Sequence, residues 1–258
     1  MINKIKGLWK FKYLIYNLVL RDLKVKYKGS TLGFLWSLLN PLLMLVVYTI
    51  AFKYVIKIRV ENFPVFLFSA LIPWTFLTSA LSMGAGSISE NGNLVKKVYF
   101  PREVLPLSVV MVNLFHFFLT FLVLIPALLF FKIHLGLSLL FILVIIFFQT
   151  LFVLGLTLFF SALNVYYRDI KHFLEVLLNL WFWVTPIIWP ITLVPENFRD
   201  WVHLNPFTQF VVAYRDVILR NRIPSITNIC AFMVIGLLVL LLGVYIFQNK
   251  QRRFAEEI

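Results

Sequence analysis

Residues capable of catalysis are few in this chain and lie far apart. The four aspartates, at 22, 169, 200 and 216, are isolated from one another. Glu196 and Asp200 stand four apart in a segment placed below on the outer side, and Glu256-Glu257 sit at the C-terminal tip. Neither arrangement makes a cytoplasmic carboxylate pair for acid/base work or a sugar-nucleotide metal site. His116, His134, His172 and His203 are scattered without metal-ligand spacing. No GxxxxGK occurs, so the chain is not expected to bind ATP through a P-loop.

Aromatic surface is plentiful instead, at 17% of the residues. Trp36, Trp74, Trp181, Trp183 and Trp189 fall in or near long apolar segments. The C–H faces of sugar rings pack on such rings, while Trp N–H and Tyr O–H groups supply directed bonds. A track of similar platforms suits a repeating polymer. Trp9, Trp74 and Trp201 read better as an aromatic belt at the water interfaces. For Trp181 and Trp183 the platform and belt readings both stay open. The candidate channel residues are Trp36, Tyr48, His116, Trp181 and Trp183, with His116 either a channel donor or a helix-to-helix hydrogen-bonding group.

The elements that must position them are membrane helices. Of 258 residues, 61% are hydrophobic and 14% charged, and the mean hydropathy is +0.91. A soluble domain does not carry this composition. Six segments reach the roughly 20 apolar residues a span needs: Leu32 to Ile56, Phe63 to Met83, Val104 to Phe131, Leu137 to Leu163, Phe173 to Val194, and Ile226 to Phe247. An all-α membrane protein of six spans, one membrane domain over residues 1–258, is expected. The first apolar segment is longer than a leader's h-region, so no cleavable signal peptide is expected. Buried acid or histidine relays, usual in ion-coupled transporters, are scarce; Lys53 and Glu175 lie near segment ends, where they can snorkel.

With the N-terminus inside, the inner segments hold sixteen Lys and Arg and the outer segments eight. This bias places both termini in the cytoplasm. Topology and lipid then account for the net charge of +13, and no nucleic-acid partner is expected. Cys230 is the single cysteine, so no intrachain disulfide can form.

Residues 1–31 carry Lys6, Lys10, Asn17, Arg21, Lys24 and Lys28 on one side of a helical wheel and Leu8, Phe11, Ile15, Leu18 and Val19 on the other. That pattern lies in an interface, where each cation beside anionic head groups contributes about 1 kcal/mol. Residues 84–103 contain a short helical candidate, Asn91 to Tyr99, before Phe100-Pro101. In 195–222, Asn205-Pro206 divides two pieces, Glu196 to Leu204 and Phe207 to Leu219, too short to cross a bilayer of about 30 Å. They read either as re-entrant outer helices or as helices lying on the surface. Residues 248–258 form a cytoplasmic tail.

With these residues in hand, the chain resembles the transmembrane subunits of type 2 ABC exporters of polysaccharides, O-antigen permeases in particular. The resemblance rests on Arg21-Asp22 through Tyr27, Leu32-Gly33-Phe34-Leu35-Trp36 to Asn40-Pro41, and Asn93-Leu94-Val95-Lys96-Lys97 through Phe100-Pro101-Arg102-Glu103 to Leu105-Pro106. Tyr167-Arg168-Asp169 and Leu204-Asn205-Pro206-Phe207 complete it. It implies a homodimer in the bacterial inner membrane above two ATPase subunits, with ATP and Mg bound by those partners and no cofactor on this chain. It implies a lipid-linked polysaccharide as cargo, and a coupling helix built from Asn91, Asn93, Lys96, Lys97, Tyr99, Phe100, Arg102 and Glu103. Asn205, Pro206 and Phe207 belong to the implied outer gate. Capsule and teichoic acid permeases share much of the pattern. A drug or lipid exporter of the same architecture is the first rival, and a membrane glycosyltransferase is the rival from another class.

Overall fold

The segment Phe63–Ala85 is apolar around its whole circumference, and such a helix belongs inside a bundle. In the computed structural model it does so: α3 (Phe63–Ala85) is buried along most of its length. The structure describes residues 9–29, 33–57, 60–133 and 136–257. Among these every regular element is helical. They are α1 (Lys12–Tyr27), α2 (Trp36–Tyr48), α3, α4 (Gly92–Lys97), α5 (Val104–Phe130), α6 (Ile142–Tyr166), α7 (Ile170–Val184), α8 (Glu196–Leu204), α9 (Pro206–Ile218), α10 (Ile226–Lys250) and α11 (Phe254–Glu257).

Around α3 pack α5, α6, α7 and α9, with α2 against α5 and α3. A buried polar chain runs through this packing. The Tyr214 hydroxyl donates to Gln149 Oε1 at 2.7 Å, and Gln149 Nε2 donates to the Pro73 carbonyl at 2.9 Å. Helix α10 lies along α6 so closely that a Cβ at Gly243 would collide with the Gly155 carbonyl, and one at Gly236 would stand 2.7 Å from the Phe148 carbonyl. Glycine permits that approach of two backbones.

Four helical stretches among the described residues are long and apolar enough to cross a membrane: Phe63–Ala85, Val104–Phe130, Leu137–Tyr166 and Ile226–Arg253. The first and fifth expected spans are shorter as helices. Helix α2 contains Pro41 and passes at Thr49 into a π-helical stretch, Thr49–Val55. Helix α7 covers about 22 Å at 1.5 Å per residue and stops at Val184. The cause is local: Thr185 precedes Pro186, which disfavours the helical region there, and Thr185 is extended. The chain continues without helix through Thr185, Ile187 and Ile188, all buried. Irregular backbone is tolerated at membrane depth where protein encloses it, and here Arg215 donates to the carbonyls of Pro186 and Ile187 at 2.6 and 2.7 Å.

A second, smaller core lies at one end of the bundle, where Leu18 of α1, Val95 of α4, Phe100, Val104, Val165, Phe247 and Phe254 meet. The apolar side of α1 therefore packs on protein: Phe11, Leu14 and Ile15 join Leu18 against this core. The tail folds back through α11, which buries Phe254 completely.

Candidate functional site

A groove of about 800 Å³ opens between α2, α3, α5 and α7. Trp36, Met44 and Tyr48 form one wall, Trp74, Thr75 and Thr78 the floor, Asn113, His116 and Thr120 a second wall, and Leu178, Asn179 and Phe182 the third. Lys26, near the end of α1, stands at its rim.

Four of the groove's polar side chains spend donors within the protein. The hydroxyls of Thr75 and Thr120 donate to carbonyls of their own helices, Ile72 at 2.8 Å and His116 at 2.9 Å, and Thr78 donates to Trp74 at 3.2 Å. Asn113 Nδ2 donates to the Val109 carbonyl at 2.9 Å and to Met83 Sδ at 3.6 Å. With those donors used within the protein, the hydroxyl lone pairs and the Asn113 carbonyl oxygen remain to receive hydrogen bonds. Beside them Tyr48 and Phe182 stack, with centroids 6.4 Å apart and planes at 28°. Acceptors next to aromatic faces suit a ligand with many hydroxyls and flat C–H faces.

Of the candidate channel residues, Trp36, Tyr48 and His116 come together at this groove. Trp181 and Trp183 do not line it. Trp181 turns into the packing behind the floor, edge-on to Trp74 at 5.9 Å, and its indole N–H donates to Asn205 Oδ1 at 2.8 Å. Trp183 faces outward, 56% exposed, and its carbonyl accepts from Trp189 Nε1 at 3.3 Å. Between them in sequence, Phe182 takes the groove position. Trp74, read from sequence as a belt residue, is 5% exposed and lines the floor, wedged against Trp181, Phe182 and Phe207.

Asn205 joins α8 to α9 and uses both ends of its amide. Its Oδ1 caps α9 by accepting from Phe207 N at 3.1 Å, and its Nδ2 donates to Thr185 Oγ1 at 2.9 Å. Pro206 occupies the first helical position, where its missing N–H costs nothing. Phe207 is fully buried.

Toward the smaller core, the segment around α4 is tied down on one side and open on the other. Arg21 Nη1 donates to Asn91 Oδ1 at 3.1 Å, Asn164 Nδ2 donates to Ser89 Oγ at 3.1 Å, and Lys171 Nζ pairs with Glu90 Oε1. Phe100 is buried, and Arg102 donates to the Gln251 carbonyl and lies over the Phe254 ring. Asn93, Lys96 and Lys97 are exposed, Glu103 is half-buried, and Tyr99 is 99% exposed. Arg21 and Lys24 of α1 and Lys28 just beyond it border a shared surface hollow. Lys10 is exposed, and Lys6 lies outside the described residues, as does His134.

Known proteins share this arrangement of sequence. A family model described as "ABC-2 type transporter" matches residues 13–219. The chain belongs to that family. The O-antigen export system permease protein RfbA of Myxococcus xanthus is 36% identical over 264 residues, covering 100% of both chains. RfbA of Klebsiella pneumoniae is 34% identical over 237 residues, covering 92% of this chain and 91% of its own. The polysialic acid transport protein KpsM of Escherichia coli is 21% identical over 256 residues, covering 93% and 94%.

The stretch matched to the ABC-2 type transporter family runs from α1 through α9, so it includes every groove wall, the α4 segment and the α8–α9 pair. Helix α10 and the tail follow it. Among the described residues no three His, Cys, Asp or Glu side chains gather as metal ligands. As an ABC-2 family chain, this protein presents a polar and aromatic groove walled by helices, one of which is tied directly to an exposed basic segment.

Proposed function

We propose that this chain is the permease subunit of an ATP-driven exporter that moves a lipid-linked, O-antigen-like polysaccharide out of the cytoplasm. It would sit in the bacterial inner membrane with both termini inside, as a homodimer on two copies of an ABC ATPase that bind ATP and Mg. The observation that carries the reading is the groove, whose hydroxyl and amide acceptors stand beside Trp36, Tyr48, Trp74 and Phe182. Full-length likeness to permeases named for O-antigen export supports the same cargo.

The homodimer draws support from what flanks the groove. Helix α2 exposes Leu43, Val46 and Val47, and α7 exposes Phe173, Val176, Leu180 and Trp183. A second copy facing these helices would close two grooves into one enclosed path. The exposed Lys96 and Lys97 of α4 and Tyr99 just after it would offer the ATPase a basic and aromatic docking point. Catalysis of ATP hydrolysis belongs in this reading to the partner.

The test is purification from native membranes, followed by transport in proteoliposomes. Two copies of this chain should co-purify with two of an ATPase, and lipid-linked polysaccharide should cross only with ATP. Unchanged surface polysaccharide in a deletion strain, or sugar-polymer synthesis by the pure chain alone, would overturn the reading.

A further inference from the structure

The segment that includes α4 makes side-chain links to one helix that walls the groove and to another that reaches its rim. Lys171, which pairs with Glu90, lies in the first turn of α7, and the same helix carries Leu178, Asn179 and Phe182 into the groove. Arg21, which donates to Asn91, lies on α1, whose Lys26 stands at the groove rim. Helices transmit displacement because their backbone bonds resist bending, and Lys171 to Phe182 is about 16 Å of one such rod. The Glu90–Lys171 pair lies directly over Gly86, where a Cβ would strike both side chains.

These links are poor candidates for stabilising the fold. The side chains of Lys171 and Glu90 are 37% and 62% exposed, and exposed ion pairs contribute little. We infer that Glu90–Lys171 and Asn91–Arg21 are tethers that carry movement of the α4 segment to α7 and α1, and so open and close the groove. Glu90, Lys171, Asn91 and Arg21 are thus positioning residues. The inference rests on the ATP-driven reading above.

Charge reversal tests it in the complete transporter with its ATPase, reconstituted in proteoliposomes. Glu90→Lys and Lys171→Glu, each alone, should leave complex recovery and ATP hydrolysis near wild type while polysaccharide exported per ATP falls several-fold. The double reversal, Glu90→Lys with Lys171→Glu, should restore that ratio. Asn91→Asp keeps the acceptor for Arg21 but loses the donor to the Ser87 carbonyl, so it should export at a higher ratio than Asn91→Leu, which loses both. Wild-type ratios in both single reversals, or no recovery in a double reversal that assembles, would overturn the inference. Should a single reversal fail to assemble, the milder Glu90→Gln and Lys171→Gln should show the same several-fold fall, and wild-type ratios in both would overturn the inference equally. Absence of ATP-dependent transport by the wild-type complex would instead defeat the ATP-driven reading.

Discussion

Trp181 and Asn205 are joined by an indole N–H to amide-oxygen hydrogen bond of 2.8 Å, and through it the end of α7 is fixed to the start of α9. The same Asn205 oxygen caps Phe207 N, and its amide nitrogen reaches Thr185 Oγ1. One side chain therefore closes the break after α7 and the turn between α8 and α9.

Asn205→Ala should accordingly destabilise the protein more than loss of one bond suggests. A helix cap contributes about 0.5–2 kcal/mol, and each buried polar partner left unmet costs roughly 1–3 kcal/mol. Asn205→Asp keeps the oxygen acceptor but loses the donor to Thr185 and puts a carboxylate at a buried position, a costly change, so it too should fall below wild type. The midpoint of heat-induced aggregation in detergent should be highest for wild type; equal midpoints for all three would remove this residue from the fold's support.

The groove makes a different demand. Each aromatic platform adds only about 0.5–1.5 kcal/mol beyond area burial, so Tyr48→Ala or Phe182→Ala should slow polysaccharide export modestly, and the double alanine more. Trp183→Ala should have less effect than Phe182→Ala, because Trp183 points away from the groove. Export rates measured on folded, assembled transporter decide the order. A larger defect from Trp183 would place the path along the outer face of α7.

Much of this architecture is legible in the residues, for local reasons. Asn205-Pro206 divides residues 195–222 because Asn caps helices and Pro starts them, and the observed helices end and begin there. The short helix before Phe100 appears as Gly92–Lys97, within the expected bounds. The choice between Trp181, Phe182 and Trp183 is not legible. All three are apolar and adjacent, and which one meets the groove depends on how α7 is rotated against α3, a matter of tertiary packing. The belt reading of Trp74 fails for the same reason: its neighbours Trp181 and Phe207 lie more than a hundred residues away in sequence. The Lys171–Glu90 pair, 81 residues apart, leaves no trace in any local pattern.

Between α6 and α10 the constraint is steric. A Cβ at Gly243 meets the Gly155 carbonyl, and backbone cannot rotate aside as a side chain can. Overpacking of this kind costs about 1–3 kcal/mol, so Gly243→Ala should lower thermal stability in detergent. Val234→Ala, on the same helix and 54% exposed, should not. Equal tolerance of both would mean that the two helices can separate without penalty.

Orientation in the membrane is open to direct chemical test. By the sixteen-to-eight distribution of Lys and Arg, the α4 segment is expected inside and the α8–α9 pair outside. Both regions offer an exposed asparagine, Asn93 in α4 and Asn197 in α8. In a Cys230→Ser background, which removes the one native thiol, a membrane-impermeant maleimide should label Asn197→Cys in cells whose outer membrane alone is permeable. Asn93→Cys should react only after the inner membrane is breached. Labelling of both from one side would require an even number of crossings between them, and the short helix α7 is where a crossing would have to be lost. Reversed labelling would invert the protein and remove α4 from reach of a cytoplasmic ATPase.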